Sequence, residues 1–111
     1  MPLARWMRSP TAPGLAIVSR GEAPFEAATA AGDHFRVQPP RVEAVNAIGC
    51  GDAMMAGLLT ALLEDATAAE SLRRATALAA AESLSPIAGN PDPATARALA
   101  GQVEIERLQG R

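Results

Sequence analysis

At Gly49-Cys50-Gly51-Asp52 the spacing of apolar residues switches from extended to helical, and this junction constrains the chain more than any other segment. Before it, Arg41 to Val45 alternates polar and apolar residues, as an extended segment does. After it, Met55, Leu58, Leu59, Leu62 and Leu63 recur at helical spacing through to about Asp65. Two glycines one residue apart at such a junction allow unusual dihedrals and the close approach of another molecule. The first N–H groups of a helix have no intrahelical partner and lie at the positive end of its dipole, so the turn suits a negatively charged group. Asp52, read alone, is equally well explained as an N-cap that accepts a hydrogen bond from the first turn.

The rest of the chain reads as α/β. Gly14 to Ser19 is a short apolar run closed by Gly21, the pattern of a buried strand ending in a turn. Ala23 to Val37 holds two or three short β-like pieces broken at Gly32-Asp33, and Pro39-Pro40 ends the last of them. Thr67-Ala68-Ala69-Glu70 has the form of a capping box and opens a second helix expected to reach Leu84 before Ser85-Pro86. Asp92-Pro93 starts a third, short helix, and Val103 to Leu108 alternates like an edge strand. Met1 to Pro13 carries Arg5 and Arg8 without the apolar core of a secretory signal, and is read as an irregular leader to a single domain over residues 14–111.

Composition narrows the chemistry. At 111 residues the chain fits one small domain and cannot wall a large cleft by itself. Only Trp6, Phe25 and Phe35 are aromatic, so an aliphatic core is expected. A net charge of -2 gives no basic field for nucleic acid. All ten basic residues are arginine, so a bound phosphate must be met by arginine, backbone amides, a helix terminus or a metal, with no lysine to help. One cysteine makes no internal disulfide, no Cys/His cluster has zinc spacing, and no apolar run is long enough to cross a membrane; a cytoplasmic protein is expected.

The string Val45 to Leu59 resembles the C-terminal signature of the PfkB, or ribokinase-like, carbohydrate kinases: an Asp/Asn-Thr-x-Gly-Ala/Ser/Cys-Gly-Asp turn followed by a helix rich in small residues. Ile17 to Gly21 is similar to that family's strand and nucleotide loop, Phe35 to Val45 to its lead-in segment, and Ser71 to Ala80 to the helix beside the nucleotide. The resemblance spans roughly Gly14 to Leu108 and implies the C-terminal fragment of a ribokinase-like fold: short strands, two longer helices, then a short helix and strand. It implies that Asp52 is the general base taking the proton of the attacking sugar hydroxyl, and that the amides of Gly49, Cys50, Gly51 and Asp52 form an anion hole. It also implies nucleotide contacts from Ser19, Arg20, Gly21 and Thr76, with ATP and magnesium as cofactors and the magnesium held mainly through phosphates and water, not by residues of this chain. This fits the general demands of phosphoryl transfer, in which positioning and charge stabilisation dominate.

The sequence departs from the family pattern at several points. Asn46 and Ala47 replace the commoner Asp-Thr pair, removing a hydroxyl linked to a monovalent-cation site in some members, and Pro24 replaces the second glycine of the nucleotide loop. Asn46 and Thr76 together are similar to the branch acting on phosphorylated hexoses, the 1-phosphofructokinase and tagatose-6-phosphate kinase group. The family's sugar-contacting glycine pair, its lid and its Asn-x-x-Glu motif have no counterpart here. The resemblance therefore implies the ATP-side third of a hexose-phosphate kinase, incomplete alone, that either pairs with an N-terminal half or persists as a non-catalytic, nucleotide-binding or self-associating remnant.

Other residues have plainer explanations. Cys50 at a helix start favours thiolate, but a small side chain in place of the family's Ala or Ser explains it better. His34 is read as a solvated turn residue, Met54 and Met55 as core packing of the first helix, and Arg73-Arg74 as a solvated helix face, with Arg20 the better phosphate contact.

Overall fold

The computed structural model describes residues 14–18 and 23–109. The expected leader over residues 1–13, Trp6, and the nucleotide-loop residues Ser19, Arg20 and Gly21 lie outside the described residues. Among the described residues the order is β1 (Leu15–Val18), β2 (Phe25–Thr29), β3 (His34–Gln38), α1 (Cys50–Leu63), α2 (Ala68–Ser83), α3 (Pro93–Ala100) and β4 (Glu104–Gln109). This is the α/β succession that the periodicities predict: short strands, two longer helices, then a short helix and strand. The chain divides into two compact units, Met1–Gln38 with Ile105–Arg111, and Pro39–Glu104.

The first unit is built on a sheet with strand order β1-β2-β3-β4. β1 and β2 pair antiparallel with Leu15 opposite Thr29, and β2 and β3 antiparallel with Phe25 opposite Val37 and Ala27 opposite Phe35. Because side chains alternate between faces, Phe25, Ala27, Phe35 and Val37 line one face, and all four are buried. Phe25 and Phe35 are the largest buried side chains of the unit, each contributing about 1.5–3 kcal/mol. The buried hydrophobics are aliphatic as expected apart from these two phenylalanines, which supply volume that the surrounding alanines lack. β1 is an edge strand, not a buried one: only Ala16 is buried, and Val18 is 51% exposed.

Between β2 and β3 the chain turns at Gly32, with φ of 100°, while Thr29 Oγ1 accepts from the Asp33 amide at 3.2 Å. His34 is corrected from solvated turn to strand: its side chain is 16% exposed, with Nε2 3.5 Å from Glu26 Oε1. The Arg107 guanidinium stacks 4.9 Å from the centre of the Phe35 ring and pairs with Asp33, tying β4 to the sheet.

The second unit is a small helical assembly. α1 and α2 approach closely because a Cβ on Gly57 would stand 2.8 Å from Ala75 Cα; only hydrogen fits there. Ala53, Gly57, Leu58 and Ala61 form the buried face of α1. The apolar stripe expected to be core is mostly on the opposite side: Met55, Leu59, Leu62 and Leu63 are 57%, 55%, 55% and 86% exposed. Met54 is half-buried, so the core assignment fails for Met55 and holds only partly for Met54. The physical reason is the close helix contact, which selects the small side chains and turns the large ones outward. α1 ends at Glu64, and Asp65 takes the left-handed conformation with φ of 56°.

α2 opens as predicted, with Thr67 Oγ1 accepting from the Glu70 amide at 3.1 Å, and ends one residue short of Leu84. The Glu70 carboxylate instead engages Arg73 and Arg74, so only one half of the capping box forms. Arg73 is no solvated bystander: its Nη1 donates to Val103 O, in the segment after α3, at 2.7 Å and to Ala100 O, the last carbonyl of α3, at 3.3 Å. Arg74 is exposed and pairs with Glu64 and Glu70. α3 starts at Asp92, whose Oδ2 accepts from the Thr95 amide, with Pro93 in the first turn as expected. No helix among the described residues is long and apolar enough to cross a membrane.

Candidate active site

The junction that dominates the sequence is also the least ordinary helix start in the structure. α1 begins at Cys50, and its N-cap is Gly49, at φ 88° and ψ -4°. This left-handed conformation costs about 1–2 kcal/mol for an L-residue and nothing for glycine. The cap reading of Asp52 is thereby corrected: Asp52 is the third helical residue, and no side chain caps this helix.

With no capping side chain, the amides stay open. The Ala53 amide makes the first intrahelical bond, to Gly49 O at 2.9 Å. The Cys50 amide has a long contact of 3.4 Å to Ala47 O. The amides of Gly49, Gly51 and Asp52 donate to no acceptor among the described residues. Gly51 and Asp52 are exposed, and the Asp52 carboxylate has neither hydrogen bond nor ion pair among those residues. Three free donors and one unengaged carboxylate thus share a single turn. Such a turn can hold an anion through its amides and accept a proton at its carboxylate.

The turn is held from below by the end of α2. Ser83 O accepts from the Val45 amide at 2.7 Å and the Asn46 amide at 3.0 Å, fixing the lead-in segment. Asn46 Oδ1 accepts from the Ile48 amide at 3.0 Å, an Asx turn that starts the reversal into the helix. Glu82, 1% exposed, accepts from the Gly89 amide at 2.7 Å. A Cβ on Gly49 would stand 3.4 Å from Glu82 Oε1 and 3.7 Å from the Gly89 nitrogen. Glu82 played no part in the expectations drawn from the sequence. Its signal was faint: it follows Ala75 by seven residues, so it lies on the α2 face that meets α1.

Cys50 is half-buried, and its Sγ lies 3.8 Å from Asn46 O. Burial, followed by the negative charge of Glu82, pushes its thiol pKa above the ordinary cysteine value, against the thiolate that a helix start alone would favour. Thr76 is 2% exposed and its Oγ1 has no hydrogen-bond partner. Among the described residues no three His, Cys, Asp or Glu side chains gather as a metal site.

Comparisons with known proteins bear on the family and the fold. The family described as pfkB family carbohydrate kinase matches residues 4–95. No curated protein matches the sequence. Among solved structures, a provisionally assigned phosphofructokinase from Staphylococcus aureus superposes with a TM-score of 0.82 at 20% identity, over 90% of this chain and 32% of that one. Phosphofructokinase-2 from Escherichia coli, solved in complex with potassium, gives 0.73 at 22% identity, over 79% of this chain and 28% of that one. A provisionally assigned 1-phosphofructokinase from Thermotoga maritima gives 0.72 at 20% identity, over 86% and 30%. The chain therefore spans about a third of the length of the solved proteins it resembles.

Proposed function

The chain belongs to the pfkB family of carbohydrate kinases, and on that premise we propose that it is the ATP-side, C-terminal third of an enzyme that phosphorylates a sugar or sugar-phosphate hydroxyl. The observation carrying this reading is the coincidence, in one turn, of the unpartnered amides of Gly49, Gly51 and Asp52 with the unengaged Asp52 carboxylate. In the proposed reaction the amides of residues 49 to 52 hold the oxygens of the γ-phosphoryl group. Asp52 orients the attacking hydroxyl and receives its proton. The reading is supported by the lack of any side-chain cap, because a capping oxygen would already occupy these donors.

ATP fits the open amides, which supply donors where the sequence has no lysine. Magnesium would neutralise the phosphates of the bound nucleotide, but the described residues offer it no ligand cluster and no step is routed through it. Ser19, Arg20, Gly21 and Thr76 are proposed to line the nucleotide; the buried, unpaired Thr76 hydroxyl is a donor still lacking an acceptor. Asn46 and Thr76 favour a phosphorylated hexose as substrate. We assign the protein to the cytoplasm.

The site is proposed to be completed by a polypeptide supplying the rest of the fold. Asp52, Met55 and Leu59 follow one another at helical spacing, so the base stands at the head of the exposed apolar face of α1. A partner covering Met55, Leu59 and Leu62 would therefore also wall the reacting hydroxyl. The test is complementation: the chain is mixed with the remaining two-thirds of a family member and ADP release is followed with fructose phosphates. Turnover is expected only in the mixture, and Asp52→Asn should lower it by about 10²–10⁴-fold. Ordinary turnover by the chain alone, or an active Asp52→Asn mixture, would refute the reading.

The exposed α1 face also favours a second reading, a non-catalytic nucleotide-binding module that associates with its own copies. Size-exclusion chromatography separates the two: concentration-dependent self-association that a complementing fragment does not reverse supports the module. Titration with a fluorescent ATP analogue then decides whether that module binds nucleotide.

A further inference from the structure

We propose that Glu82 is a positioning residue for the anion-binding turn, clamping the 85–91 loop against Gly49 and so fixing the direction of the amides that follow. The inference rests on the reading of residues 49 to 52 as a phosphate site, and adds a residue from a different helix that no family signature quoted above contains.

A carboxylate that is 1% exposed is an expensive choice for a helix end. A methionine or leucine of similar volume would fill the space without desolvating a charge. The Glu82 carboxylate receives one hydrogen bond among the described residues, from the Gly89 amide at 2.7 Å. Gly89 is itself in the left-handed region, at φ 78°, so the loop is bent to deliver that amide. The same carboxylate oxygen lies 3.4 Å from where a Gly49 Cβ would be. Glu82 thus holds the loop through a hydrogen bond and stands where any side chain at Gly49 would meet it.

The neighbouring residue reinforces the arrangement, since Ser83 O holds the Val45 and Asn46 amides on the other side of the junction. Consecutive residues of α2 therefore grip both the entry to the turn and the loop that backs it. Four of the groups involved, the Ser83 carbonyl and the Val45, Asn46 and Gly89 amides, are main-chain, so their geometry is set once the end of α2 is set. The Glu82 charge is also felt in the turn, where it helps to push the Cys50 thiol upward.

The test uses the whole chain with Glu82→Met and Glu82→Gln, because methionine keeps the volume and loses the acceptor, while glutamine keeps an acceptor and loses the charge. Three readouts are amide hydrogen exchange at Gly89, alkylation of Cys50 by iodoacetamide, and shifts of the residue 49–52 amide resonances on adding inorganic phosphate. Glu82→Met should speed Gly89 exchange at least tenfold and abolish the phosphate-induced shifts. Glu82→Gln should restore both, while Cys50 reacts faster than in the wild type in either variant. If Glu82→Met retains slow Gly89 exchange and unchanged turn resonances, the clamp is overturned. If the wild type shows no phosphate shifts while Gly89 protection and the turn resonances depend on residue 82, the phosphate reading fails and the clamp stands. A Glu82→Met chain that does not fold leaves Glu82→Asp, one methylene too short to reach, to give the same loss at Gly89 or overturn the clamp.

Discussion

The start of α1 and the starts of α2 and α3 solve the same problem in opposite ways. At α2 and α3 a side-chain oxygen, from Thr67 and Asp92, accepts from the amide three residues on. At α1 the N-cap is a left-handed glycine with no side chain, and three amides have no acceptor among the described residues. A helix start satisfied by its own cap is structural and complete. One left open, in a small fold with two well-made caps nearby, is held in place by other contacts and has donors to spare for a ligand. The difference teaches that the order of α1 comes from packing, not from capping.

The largest effect should come from attacking that packing. Gly57→Leu would drive a side chain into the Ala75 backbone, where even a Cβ is 2.8 Å from Cα and no flexible atom can give way. Overpacking costs about 1–3 kcal/mol where neighbours can move, and more against backbone. Thermal unfolding should show loss of a cooperative transition, because small domains have little stability in reserve. A Gly57→Leu chain that melts like the wild type would mean that α1 is not placed by α2.

The next effect sharpens the comparison at the turn. Gly49→Ala forces an L-residue to φ near 88°, a strain of about 1–2 kcal/mol, and sets a methyl against Glu82. Urea unfolding should register that loss of stability. Phosphate or ATP-analogue binding should fall by more than the stability change alone explains, since the free amides would be re-aimed. Binding unchanged in a strained but folded variant would separate the turn from the anion site.

These expectations also show where the sequence was legible. Thr67 and Asp92 carry their meaning locally: a short polar side chain needs only the next three residues to act as a cap, so both helix starts were readable from spacing. The Gly49-Cys50-Gly51-Asp52 turn was readable as an open helix start for the same reason, although spacing alone left Asp52 equally open to a capping reading, which the position of Gly49 at the N-cap removes. The faces of α1 were not readable. Periodicity marks a stripe of large apolar residues but is silent about a partner helix close enough to demand Ala53, Gly57 and Ala61 instead. The large residues Met55, Leu59, Leu62 and Leu63 are left on the exposed side of the helix as a result. Glu82 and Arg73 were hidden for a related reason: a charged residue on a helix reads as solvated until the loop or carbonyl that it meets is known.

The smallest effects should come from the two capped helices, and they matter because they should leave the anion site alone. Thr67→Ala removes an acceptor from the first turn of α2, which typically costs about 1 kcal/mol. Urea unfolding should register it while phosphate-induced shifts at residues 49 to 52 persist. Asp92 gives a pH signature of the same kind. Hydrogen bonds from the Thr95 hydroxyl and amide hold its carboxyl below the ordinary aspartate pKa. A carboxyl whose pKa is lower folded than unfolded adds stability above the unfolded value, near 3.9, and that contribution disappears as pH falls through the folded value. The melting temperature of the wild type should therefore drop more steeply below about pH 4 than that of Asp92→Asn, which keeps a capping oxygen without the titration. Parallel acid profiles for the two chains would mean that the α3 cap is not formed in solution, and the contrast between closed and open helix starts would then rest on α2 alone.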